Sequence, residues 1–257
     1  MADEILYAVA DGIATLTLNS PARGNALNTA LMEALGRRFT ALERDTSVRA
    51  VVIRGAGTAF CSGRVLEEMS RRQDDGLEPE ADVISLFQQI EASRHPTIAM
   101  VHGAACAGDC VLALHCDFGV AADAARFAMP LAKIGLVVPF ALGQKLVEII
   151  GPAFTRQILL TGQPVDATRA YEMGMVHTVV PAAELEKATY DLARTIAGNA
   201  PLSLAGMKSI IRRALSLRQR LGHKDLDEVA RRARASADAR EGVRAMLEHR
   251  KPAFRGE

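Results

Sequence analysis

The chain has 257 residues, 49% hydrophobic and 24% charged, a balance that fits a folded globular protein and excludes a mainly disordered one. Four cysteines make no disulfide scaffold at this length, no apolar run approaches the roughly 18–20 residues that span a bilayer, and a chain with three Tyr and no Trp offers no stacking platform for single-stranded nucleic acid. Net charge is +1, but residues 207–257 hold 14 Lys/Arg against 7 Asp/Glu, so the last fifth is about +7 and the remainder about −6. A basic tail of this kind suits a phosphorylated ligand, an acidic neighbouring subunit or a solvated helical face.

The opening MADEILYAVADG has neither a basic nor an apolar signal region, so a reducing, cytoplasmic setting is expected. Residues 5–10 and 13–19 read as two strands joined by Asp11-Gly12, a hairpin signal. Residues 21–28 read as a loop, and Asn28 as the N-cap of a helix with Leu31, Leu35, Phe39 and Leu42 on one face. Residues 50–54 form a short buried strand ended by Gly55 and Gly57, residues 71–80 a charged loop or frayed helix, and residues 83–92 a helix. Strands at 97–101 and 117–122 flank a small, flexible stretch at 103–109 and a helix at 110–116. Alternation of strand, small-residue turn and helix implies crossovers and a mainly parallel sheet. Helices at 142–150, 153–160, 167–173 and 184–197 follow, with one last strand at 176–180, and everything after Pro201 reads as helical. No fixed-period repeat is visible.

Several familiar chemistries fail on spacing. Gly55-x-Gly57 follows a strand as a dinucleotide fingerprint does, but Phe60 stands where the third glycine belongs. There is no Walker A pattern, and Ser62 lies in Phe60-Cys61-Ser62-Gly63 rather than in a nucleophile elbow. Cys106, Cys110, His115 and Cys116 lack the paired spacing of a metal site and read as small core residues. Two segments remain, residues 57–63 and residues 102–109. Each places small residues where a strand turns toward a helix, and unpaired N–H groups gather at helix starts. Two such turns side by side are either ordinary tight turns or an oxyanion hole with both donors aimed at one oxygen.

The motifs Arg23-Gly24-Asn25-Ala26-Leu27-Asn28, Ala59-Phe60-Cys61-Ser62-Gly63, Val101-His102-Gly103 through Gly108, Cys116-Asp117, Ile134-Gly135-Leu136, residues 170–176 and Arg250-Lys251-Pro252-Ala253-Phe254 occur in one order. Together they resemble the crotonase superfamily, the enoyl-CoA hydratase/isomerase family, from about residue 5 to residue 255. The resemblance implies an α/β fold of the crotonase-like kind: a spiral of ββα units over residues 1–200, then a C-terminal helical region at 201–257 that drives trimer or hexamer formation. It implies an acyl-CoA thioester as ligand, with no cofactor beyond the CoA moiety and no metal. The N–H groups of Ser62 and Gly108 would form the oxyanion hole. Arg23, Ala26 and Leu27 would contact CoA, together with His249 and Lys251 from a neighbouring subunit.

Hydratases of this family use two glutamates, one to take a proton while the other gives one. Val111 and Leu131 stand at the two matching positions, and neither exchanges a proton. Other candidate groups are Asp109 as acid or base, Arg64 for an acidic acyl group or a CoA phosphate, Glu67 and Glu68, and the two histidines His102 and His115. Each also has a plain structural reading: a carboxylate in a helix first turn, a surface arginine, exposed helix charges and buried rings. Two functions follow from the resemblance, an enzyme working through a thioester enolate, or a non-catalytic acyl-CoA carrier or sensor with the same fold. A nucleic-acid module built on the basic tail has no recognition motif behind it.

Overall fold

The computed structural model describes residues 3–65, 68, 81–106, 108–219 and 224–255, with only the backbone described at 106, 108–110 and 216–219. The charged stretch at 71–80 and Glu67 lie outside the described residues. Strands β1 (Ile5–Ala10) and β2 (Ile13–Leu18) pair antiparallel about Asp11 and Gly12, whose φ values of 52° and 74° are those the Asp-Gly signal predicts. Helix α1 (Thr29–Leu42) starts where Asn28 Oδ1 accepts the Leu31 N–H at 2.7 Å, and it buries Leu31, Met32, Leu35, Phe39 and Leu42.

Strands β3 (Ala50–Gly55), β4 (Thr97–Val101), β6 (Phe118–Ala122) and β9 (Thr178–Val180) add in parallel to β2, giving a six-stranded sheet in the order β1-β2-β3-β4-β6-β9. A second layer holds β5 (Ala104–Cys106), β7 (Arg126–Ala128) and β8 (Val165–Asp166), with β5 and β7 parallel. Each turn of the spiral passes through the large sheet, then the second layer, then a helix. The helices are α2 (Ala81–Ala92) after β3, α3 (Gly108–His115) after β5 and α4 (Phe140–Thr161) after β7. Next come α5 (Ala167–Met173), α6 (Leu185–Ala197), α7 (Pro201–Gln219), α8 (Lys224–Ala235) and α9 (Ala237–Leu247).

Both faces of the central strands β3, β4 and β6 are covered, which is why they read as unbroken apolar runs. Val51, Ile53, Ala99 and Val101 point into the core shared with α1 to α5. Their neighbours Ala50, Val52, Ile98 and Met100 point to the opposite face, where Leu185, Ala193 and Ile196 of α6 cover them. The two helices expected at 142–150 and 153–160 are present as the two arms of α4, separated as expected at Gly151, with φ 68°, just before Pro152. Two expectations need correction. The stretch at 103–109 is not simply a flexible turn, because β5 lies within it and its backbone pairs with β7. The last strand is Thr178–Val180, shorter than 176–180.

The chain's end folds back on itself. A Cβ at Gly242 of α9 would collide with the Ile134 backbone, and one at Gly135 would collide with Ala239. So α9 rests directly on the 3₁₀ turn Pro130–Ile134 of its own chain. Beyond it, Arg250 grips both carboxylate oxygens of Glu241 at 2.6 and 2.9 Å and also holds Glu248 at 2.6 Å. The Ala253 and Arg255 N–H groups then bond to Glu241 and Asp238. The Arg250 hydrogen bonds, helped by the Ala253 N–H, draw the Glu241 carboxyl down to about 2.

His115 is buried at the end of α3, with Nδ1 donating to the Val111 carbonyl at 2.7 Å, and burial lowers its pKa from 6.5 to about 4. Below pH 6.5 the unfolded chain takes up a proton that the folded chain refuses, so stability falls as pH drops from 6.5 toward 4. Denaturant titrations should show this loss at up to about 1.4 kcal/mol per pH unit in the wild type. His115→Asn should flatten the slope over that window, and an unchanged slope would count against the assignment. For the tail the sign is opposite. A depressed carboxylate stabilises fully above its unfolded value of 4.5, and the effect is lost as pH falls through about 2. NMR should therefore show the Ala253 amide releasing in that window, and already released at pH 7 in Arg250→Ala.

Candidate active site

Beyond the C-terminal end of β3 the chain folds back over Gly55, the last residue of the strand. A Cβ there would collide with the carbonyl oxygens of Phe60 and Ala59 and with the side-chain amide of Asn25. Asn25 is fully buried at φ 59°, a left-handed conformation that Asn tolerates better than most residues. Its Nδ2 donates to the carbonyls of Ala56 and Ala59, both at 2.8 Å, with Phe60 O farther off at 3.3 Å. Its Oδ1 accepts the Ser20 N–H at 2.9 Å, and its own carbonyl accepts from Cys61 Sγ at 2.8 Å. Two further ties join the same loops: Ser62 Oγ donates to Arg23 O at 3.0 Å, and the Leu27 N–H donates to Gly63 O at 2.8 Å.

The second turn lies against the first. His102 Nε2 donates to Gly57 O at 3.0 Å, and a Cβ at Gly103 would collide with Thr58 O. Burial lowers the His102 pKa, so the ring is a neutral brace between the turns. Cys61 pairs in parallel with Ala105, with its N–H on Ala104 O at 3.5 Å. Paired strands lie about 4.8 Å apart, so residues 61–62 run beside the segment that leads into α3. Ser62 is exposed, and its N–H has no acceptor among the described residues. Gly108 is the first residue of α3, so its N–H has no acceptor within the helix.

The other candidate residues divide. Asp109 sits in the first turn of α3, and its side chain lies outside what is described. Arg64 is neither a surface arginine nor an open ligand contact. Its side chain is 6% exposed, with Nη2 3.3 Å from Asp82 and Nη1 against Leu27 O and Met32 Sδ. Glu68 is no free helix charge either: it accepts from the N–H and hydroxyl of Thr29 at 2.8 and 2.9 Å and so caps α1. Arg23 is exposed, with no side-chain partner among the described residues, and Ala26 is half-buried. Leu27 is 0% exposed, so its side chain cannot meet a CoA molecule outside the core. His249 and Lys251 are exposed beside the Arg250 clamp, just beyond α9. Val111 is sealed in the core at 0% exposure, and Leu131 is partly buried against it. Cys116 is a buried thiol that burial pushes up to about 12, inert as a nucleophile.

The bonding of the Asn25 amide was the feature that sequence reading missed. Its acceptors are backbone carbonyls 31 to 35 residues away, which leave no mark in composition or periodicity. A cavity of about 270 Å³ also opens near the C-terminal end of α3, between the ion pairs Lys145–Glu91 and Lys208–Asp117. Neither strand turn lines it.

Among known proteins, the chain matches the enoyl-CoA hydratase/isomerase family over residues 8–257. It is 31% identical over 253 residues to 2,3-dehydroadipyl-CoA hydratase of Escherichia coli (strain K12), covering 98% of this chain and 99% of that one. A crystal structure of enoyl-CoA hydratase/isomerase from Pseudoalteromonas atlantica T6c superposes with a TM-score of 0.85 at 28% identity, over 98% of this chain and 100% of that one. Methylmalonyl-CoA decarboxylase in complex with 2-nitronate-propionyl-CoA superposes with a TM-score of 0.90 at 25% identity, over 99% of each chain. With a crotonase-type spiral, two apposed strand turns and a family match over nearly its whole length, this chain belongs to the enoyl-CoA hydratase/isomerase family.

Proposed function

We propose that the protein is an enzyme that draws the carbonyl oxygen of an acyl-CoA thioester onto the N–H groups of Ser62 and Gly108 and works through the resulting enolate. The observation that carries this reading is the parallel pairing of Cys61 with Ala105, which brings the unengaged Ser62 N–H alongside the approach to α3. The positive end of that helix and the N–H dipoles favour charge on the oxygen, and such donors are worth about 10²–10³ each in rate. Arg23, Ala26, His249 and Lys251 are the CoA contacts in this reading, three of them carrying basic groups toward the carrier's phosphates. Nothing beyond the CoA carrier is required as cofactor. Residues 201–257 serve assembly into a trimer or hexamer, which the exposed Leu202, Met207, Ile210 and Ile211 on α7 support. The setting is the cytoplasm.

Val111 and Leu131 stand where paired glutamates would move protons, so water addition by two carboxylates is not the chemistry proposed. The reactions that fit reach an enolate without that pair. In decarboxylation, the bond from the α-carbon to a carboxylate breaks and CO₂ leaves. Its electron pair passes to the enolate, and the α-carbon then takes a proton from water. The decarboxylase relative, solved with a nitronate beside the thioester, supports this branch, since a nitronate carries the planar negative charge of an enolate. Asp109 is the candidate group for proton transfer at the α-carbon. The second reading, a carrier or sensor that binds acyl-CoA without turnover, draws support from Val111 being sealed in the core.

Incubation with saturated, enoyl and malonyl-type CoA thioesters in deuterated water separates the two. The enzyme reading expects turnover, CO₂ release or deuterium at the α-carbon. Gly108→Pro keeps a residue tolerated at a first helical position but deletes the N–H, and should lower kcat by about 10²–10³. Tight calorimetric binding with no turnover and no exchange would establish the carrier instead. Catalysis left intact in Gly108→Pro would remove the oxyanion role.

A further inference from the structure

We propose that Asn25 is a positioning residue that couples the CoA-binding loop to the Ser62 amide, so that the CoA half of the substrate raises kcat and does not serve affinity alone. The inference rests on the enolate reading above. Loop 20–27 and segment 55–64 are joined by a set of directed bonds, most of them from Asn25 or its neighbours. The amide spends both N–H groups across the gap, on Ala56 O and Ala59 O, while its oxygen takes the Ser20 N–H and so anchors the side chain in its own loop. The Asn25 carbonyl holds Cys61 Sγ, and the next residue along the same segment ties back through Ser62 Oγ to Arg23 O. One side chain therefore lies between Arg23, which faces solvent and awaits a phosphate, and the peptide whose N–H meets the thioester oxygen.

Fixing one end fixes the other. A CoA molecule that immobilises Arg23 and Ala26 also immobilises segment 56–62 through Asn25, because a fully buried amide with both donors engaged transmits displacement rather than absorbing it. Binding energy from the remote half of the substrate is then used at the reacting centre, and truncation of the substrate lowers kcat. Misplacement of a reacting group by about 1 Å costs on the order of 10²-fold in rate, which sets the scale of the effect.

The test compares one acyl group on CoA and on N-acetylcysteamine, in the wild type, Asn25→Asp, Asn25→Ala and Ser62→Ala. Asn25→Asp keeps the shape but turns two donated bonds into repulsion against carbonyls. Ser62→Ala cuts only the exposed hydroxyl tie to Arg23, so it folds even if the Asn25 variants do not. In the wild type, truncation should lower kcat by about 10- to 100-fold. In the Asn25 variants, kcat on the CoA thioester should fall by a similar factor with KM within about threefold, while kcat on the truncated thioester barely changes. Ser62→Ala should show the same pattern at smaller size. Equal losses on both substrates, in an active wild type, would mean that Asn25 only supports the fold and would overturn the proposal alone. A wild type that turns over neither thioester would overturn the enolate reading, and this proposal with it.

Discussion

The close approach of main chain to main chain at Gly55 and Gly103 is the constraint on which the site depends. At both positions a carbonyl oxygen occupies the space a Cβ would fill. That proximity lets the first turn pair through Cys61 with β5 and lets His102 brace Gly57 from the other side. Neither contact is hydrophobic. The apolar energy of the fold sits below, in the doubly covered central strands, and it fixes where β3 and β4 end. The two turns inherit their relative placement from the strands that end just before them, and hydrogen bonds make the final adjustment.

That division explains what the sequence disclosed. Residues buried on both faces of a sheet must be apolar in succession, so β3 and β4 were legible to within a residue. The Asp11-Gly12 hairpin, the Asn28 cap and α5 were legible because local chemistry decides them. The second layer was not. Its strands are two or three residues long, as in Ala104–Cys106 and Arg126–Ala128, and their partners lie far along the chain. The spiral also hides its own repetition. β3 begins at Ala50, β4 at Thr97 and β6 at Phe118, so turns of equal shape have unequal length and no sequence period survives.

Charged residues were the least legible. Arg64, read as a ligand contact or a surface group, is drawn inward to Asp82, and Glu68 is spent on the start of α1. The basic tail was read as a positive surface, yet Lys208 is taken up by Asp117 at 2.5 Å and Arg250 by Glu241 and Glu248. A charge's role depends on which opposite charge the fold brings to it, and that is a property of tertiary structure. The motifs that matched the family fared better because they consist of glycines and small residues whose requirement is steric and local.

If residues 111 and 131 occupy the positions of the two glutamates, as proposed, their apolar side chains affect the site in a second way, beyond the absence of two proton-transfer groups. An enolate on two N–H donors is stabilised mainly by dipoles, and a dipole acts more strongly where no water or mobile charge screens it. Carboxylates at both positions would bring negative charge and ordered water beside a developing anion. Val111, closed into the core, and Leu131, packed against its edge, bring neither. On the enolate reading, the pair of substitutions trades water activation for a drier, more strongly polarising hole. That trade favours a reaction whose difficult step is the appearance of charge on the thioester oxygen over one whose difficult step is the delivery of water.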